Sequence, residues 1–153
     1  MKPNAETLVR AMVQHEEAIA SLYQTFADQY PTHRPFWTDL AAEEQMHARW
    51  LQRLLKATEN GRFQFTPGKL QPTAIALSIR SIQARQQQAE SGQLNLIGAL
   101  SFARDLEKSL IESHFLDPFQ GVTEETESIL HKLTAATEQH INKVTEVWKK
   151  TQE

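Results

Sequence analysis

Glu44 and His47 stand three residues apart in the stretch EEQMHARW, inside a segment otherwise patterned as a buried helix. That spacing sets the two side chains one turn apart on one face. Burying an unpaired carboxylate costs several kcal/mol or forces it to take up a proton. A carboxylate and an imidazole on an inward face therefore need a compensating partner, and a metal ion is the commonest one. Alternating steps of four and three trace similar stripes along the other helical segments. The stripes read Met12, Glu16, Ile19, Tyr23, Phe26; then Leu40, Glu44, His47, Leu51, Leu54; then Leu100, Ala103, Glu107, Leu110, His114; and last Leu133, Thr137, His140, Val144, Val147. Each is apolar except near its middle, where three Glu and two His fall at corresponding levels. Carboxylates bridge and neutralise two hard or borderline metal ions, and imidazole completes each coordination sphere.

The elements that must bring these stripes together are helices. Glycine and proline are few, 5 and 6, and fall in clusters. Between the clusters run segments rich in good helix formers. The pattern predicts helices from about Ala5 to Gln29, with Asn4 as N-cap, and from about Pro35 to Thr58. ENGRFQFTPGKLQP then breaks the pattern. A shorter helix spans Thr73 to about Ala89, with Ile75, Ile79 and Ile82 on one side, and two more run from about Leu94 to Phe115 and from about Thr123 to Lys150. The four long helices form two pairs, each joined by a short loop that favours antiparallel packing. Between the pairs lies a crossover at about 59–93 that carries the extra helix and the strand-like FQF, and no sheet is expected. The fold class is all-α, one domain over 1–153: a four-helix bundle with one long crossover, which is the ferritin-like topology.

The sequence resembles the rubrerythrin branch of the ferritin-like superfamily. The resemblance rests on HEEAIASLYQTFA, FWTDLAAEEQMHARWLQRLL, ALSFARDLEKSLIE and, less closely, TAATEQHINKV, which together touch all four long helices. In that family two helices each supply a Glu and the other two each supply Glu-x-x-His. The matching metal ligands here are Glu16, Glu44, His47, Glu107 and His140. The resemblance implies a di-iron centre, with manganese the alternative metal. Glu44 and Glu107 would bridge the ions, Glu16 and His47 would complete one coordination sphere, and His140 the other. It also implies a catalytic-site role for Tyr23, as hydrogen-bond donor to a ligating carboxylate. The reaction class implied is oxidoreduction with peroxide or dioxygen, or oxidation of ferrous iron.

Two departures from the family pattern stand out. Thr137 occupies the place of a Glu three residues before His140, and the adjacent Glu138 lies about 100° around the helix. Glu17 and Glu43 are off-phase in the same way, Glu17 being the fallback should the register of the first helix differ. There is also no cysteine, so no rubredoxin-type iron site, disulfide or thiolate ligand can form. Redox cycling would need an external electron donor.

Hydrophobic residues at 40%, charged residues at 23% and a net charge of −3 with interspersed signs fit an ordinary globular protein. No basic block points to nucleic acid, and no apolar run or N-terminal hydrophobic region points to a membrane or to export. The expected location is the cytoplasm, and a homodimer is compatible with the composition. Other candidates have plainer readings. His15 is expected off the stripe, His33 and His131 in loop and surface positions, and His114 at a helix end as a capping or surface residue. Trp37, Trp50 and Trp148 read as packing, and RSIQARQQQAE as a solvated face. The rival function is a degenerate bundle that binds one metal or none and acts as a non-catalytic binding module.

Overall fold

The computed structural model describes residues 4–66, 68 and 70–152; Pro67, one of the expected helix breakers, lies outside them. Helix α1 spans Ala5–Gln29, α2 Arg34–Glu59, α3 Pro72–Glu90, α4 Leu96–Glu112 and α5 Glu124–Gln152, with a 3₁₀ turn at Pro31–His33. The chain is all-α in class. The ends of the helices have local causes. Asn4 accepts a 2.7 Å hydrogen bond from the Thr7 amide, and Asn95 a 2.8 Å bond from the Gly98 amide, each satisfying a first-turn donor. Prolines open α2 and α3, where a missing amide hydrogen costs nothing. Gly92, with φ of 78°, takes the left-handed conformation that turns the chain out of α3. Acidic residues open α5 and lysines close it, complementing the helix dipole.

The order of core residues along each helix fixes the directions. One apolar cluster gathers Leu8 and Met12 of α1, Leu51 and Leu54 of α2 and Leu133 of α5, with Phe115 beyond α4. The other gathers Ile19, Tyr23 and Phe26 of α1, Trp37 and Leu40 of α2, Leu100 and Ala103 of α4 and Val144 of α5. Thus α1 and α5 run from the first cluster to the second, while α2 and α4 run back. Helices α2 and α4 point the same way, so the chain must cross the length of the bundle between them. Helix α3 makes that crossing, packing against α1 with Ile75 in the first cluster and Ile82 in the second. Helices α1 and α2 form one packed pair and α4 and α5 the other.

Two expectations are corrected. FQF is strand β1, Phe63–Phe65, and pairs antiparallel with β2, Phe119–Gly121, in the register Phe63 opposite Gly121. The two-stranded ribbon ties the crossover to the α4–α5 connection. Gly121 is required there: a Cβ would lie 2.5 Å from the Glu127 amide nitrogen, so the ribbon could not approach the start of α5 so closely. The third long helix also stops earlier than its stripe suggests. It ends at Glu112, and His114 lies beyond it, exposed and with a positive φ of 52°. No helix among the described residues is long and apolar enough to cross a membrane.

Candidate metal centre

Between the two apolar clusters lies a polar layer. Glu16, Glu44, His47, Glu107, Thr137 and His140 are each at most 2% exposed. The helical period places them there, because each sits one or two turns from core residues on both sides of its own helix. Glu44 is central. Its Oε1 lies 2.8 Å from Nδ1 of His140, and its Oε2 lies 3.3 Å from Nδ1 of His47. Glu107 Oε1 joins the first side at 3.3 Å from His140 Nδ1, and Glu16 Oε2 joins the second at 3.9 Å from His47 Nδ1. The two imidazole rings stack with centroids 5.1 Å apart. The structure thus brings together all five residues expected as metal ligands. Glu44, His47 and His140 form the tightest group, with ligand atoms within 4.8 Å of one another.

Surrounding side chains hold this layer in place. The Tyr23 hydroxyl donates a 2.9 Å hydrogen bond to Glu107 Oε1, and Trp50 stacks on the His47 ring with centroids 5.4 Å apart. Thr137 directs its hydroxyl to the Leu133 carbonyl of its own helix, at 2.8 Å. It fills the stripe position without adding a charge.

Without a cation the layer depends on protons. Burial and the charge of Glu44 push Glu16 well above the ordinary carboxylate range, and they push Glu107 up to about 8 against the pull of its hydrogen bond with His140. For Glu44 burial acts upward too, but the neighbouring Glu16 carboxyl, His140 and His47 outweigh it and hold the group well below that range. Burial lowers His140, yet its hydrogen bonds with Glu107 and Glu44 prevail and raise it to about 10. Tyr23 is raised well above 10 by burial and by the charges of Glu107 and Glu44. Near neutral pH Glu16 and Glu107 thus keep their protons beside an ionised Glu44 and a protonated His140.

Proton sharing leaves gaps. Glu16 Oε2 and Glu44 Oε2 are buried without a hydrogen-bond partner, and both face the Nδ1 of His47. Two carboxylate oxygens converging on a single imidazole nitrogen fit a cation in that space, because a cation accepts all three donors at once. The residues present therefore suit a metal.

Two residues off the stripes make contacts that the sequence reading did not include. Glu43, expected off-phase, crosses to α5. Its carboxylate accepts from His140 Nε2 and, at 3.1 Å, from Lys143 Nζ. These bonds outweigh its partial burial and lower its pKa. His140 is held from both sides, its second nitrogen against a carboxylate, as metal-bound histidines commonly are. His15, expected off the stripe, is buried beneath α3, with Nε2 2.8 Å from Ser78 Oγ, and burial lowers its pKa to about 4. Neither contact was visible in the stripe pattern. The spacing of Glu43 from Lys143 and His140 means something only once α2 and α5 are side by side. Glu17, Glu138 and His131 are exposed, as expected. Comparisons with family models, with curated proteins and with solved structures find no match to this chain.

Proposed function

We propose that this chain is a rubrerythrin-like member of the ferritin-like carboxylate-bridged metal proteins, with a two-metal centre of iron, or else manganese. The reaction we propose is oxidoreduction with peroxide or dioxygen, or the oxidation of ferrous iron. The direction of the helices, with one crossover between like-directed α2 and α4, supports the ferritin-like reading. The observation that carries the metal reading is the division of Glu44. One oxygen faces His47 and Glu16, and the other faces His140 and Glu107. Glu44 would span two ions, Glu16 and His47 would complete one site, and Glu107 and His140 the other.

When bound, a redox-active metal pair supplies the two electrons that an O–O bond takes up on reduction. The chain's own groups do the rest. Tyr23 orients Glu107 through its hydroxyl. Glu43 fixes the His140 ring so that Nδ1 faces inward. The apolar clusters above and below exclude bulk water, which strengthens every charge interaction between them. In the metal-free protein Glu16 and Glu107 are held protonated, and a bound cation would displace those protons. With no cysteine in the chain, electrons come from an external donor. The same lack of thiols suits a reducing compartment, and the cytoplasm is the proposed location.

A second reading, a non-catalytic bundle with a single ion, is favoured by the tight group of Glu44, His47 and His140 and by the uncharged Thr137. Peroxide consumption separates the two. Protein loaded with ferrous iron under anaerobic conditions should consume hydrogen peroxide and oxidise its iron, and Glu44→Ala combined with His47→Ala should abolish both. Iron-loaded protein that consumes peroxide no faster than free iron would refute the redox reading.

A further inference from the structure

A cavity of ≈ 160 Å³ opens beside the polar layer, between α1, α3 and the end of α4. Its rim carries the exposed residues Ala74 and Ser113. Its walls are Met12, Leu70, Ile75, Leu110 and Phe115. At its buried end lie His15, bonded to Ser78, and Glu16. The cavity therefore leads from solvent along an apolar wall to a residue of the candidate metal centre. An apolar cavity of about 150 Å³ is enough to take up benzene in another protein. Hydrogen peroxide and water gain nothing from such a lining. A molecule with a small apolar body and one polar end does, because the body removes apolar surface from water while the polar end meets Glu16 and His15.

We propose that this cavity binds the apolar body of a small organic hydroperoxide, of single-ring or compact branched size, with its peroxide group directed toward Glu16. The proposal rests on the redox reading for its chemistry. In the reduction the O–O bond breaks, one oxygen leaves as the alcohol and the other as water. Two protons are taken up, and two electrons come from two ferrous ions that become ferric. Long-chain lipid hydroperoxides exceed the cavity.

Binding is tested apart from metal and turnover. The probe is 2-phenyl-2-propanol, the redox-inert alcohol of cumene hydroperoxide, titrated into metal-free protein and followed by calorimetry or by shifts of the cavity methyl signals. Saturable binding is expected. Ala74→Trp, and independently Ser113→Trp, should weaken it by roughly tenfold or more by filling the mouth. Both positions are exposed, so either variant can fold. In iron-loaded protein the same variants should lower the ratio of kcat/KM for cumene hydroperoxide to that for hydrogen peroxide by roughly tenfold. Absence of saturable probe binding, binding indifferent to both variants, or an unchanged ratio would overturn the proposal. Probe binding in a protein that takes up no iron would fault the redox reading and leave the cavity as an arene site.

Discussion

Nδ1 of His140 lies 2.8 Å from Oε1 of Glu44, joining side chains 96 residues apart in a layer that water does not reach. In the metal-free protein this contact is a charged pair, and it ties stability to pH. His140 has a folded pKa of about 10, against 6.5 unperturbed. A raised folded value means that its stabilisation is complete below pH 6.5 and is lost as pH rises through about 10. Glu107, raised to about 8, acts in the same direction, because ionising it places a second carboxylate beside Glu44. Metal-free protein should therefore melt lower at about pH 10 than at about pH 7, by at least ~3 °C, since ~1 kcal/mol moves Tm by about 2–4 °C at this chain length. Thermal melts across that range check it; a flat or rising Tm would contradict it.

Glu43 and Lys143 offer a paired test of how His140 is held. Glu43→Ala removes the acceptor for His140 Nε2 and should weaken metal binding by about 10–100-fold, the usual scale for losing a partner of a ligating histidine. Lys143→Ala removes only a half-exposed ion pair and should change affinity by less than about 3-fold. Competition against a chelator of known affinity measures both. Equal effects from the two variants would mean that Glu43 acts through general charge and not through the ring.

Thr137 marks where this layer is short of charge. Glu16, Glu44 and Glu107 carry three negative charges when ionised, against four on a ferrous pair. Thr137→Glu should tighten binding of the second ion and speed ferrous oxidation. In metal-free protein the longer, charged side chain should cost about 1–3 kcal/mol through overpacking, recovered on metal loading. Thr137→Gln, similar in size and uncharged, should lower stability without the gain in binding. Calorimetric metal titration and melts of both variants decide it. Lost stability with unchanged metal affinity would favour a pocket that has closed around Thr137.

How far these features could be read from the chain depends on their range. The burial of Glu16, Glu44, His47, Glu107 and His140 was legible because the helical period alone sets which face a residue takes. The two helix pairs were legible from the turn residues between them. FQF was legible as strand-like, but its partner β2 and the sheet were not: β2 is three residues long, too short for an alternating pattern, and the pairing joins segments far apart in the sequence. The contact of His15 was not legible because the stripe describes only the bundle interior, whereas α3 covers a second face of α1. Glu43 was missed because a long side chain at the edge of a stripe can reach a neighbouring helix.

The two-sided arrangement about Glu44 is tested most directly by counting metal. Protein purified without chelator, reconstituted anaerobically with excess ferrous iron and freed of unbound ions, should hold two iron ions per chain by elemental analysis. Glu44→Ala should hold fewer, because the group that spans both sites is gone. Two ions in the native chain and a loss in the variant are the expected result. No bound iron, a single ion per chain, or a count unaffected by Glu44→Ala would contradict the two-metal centre.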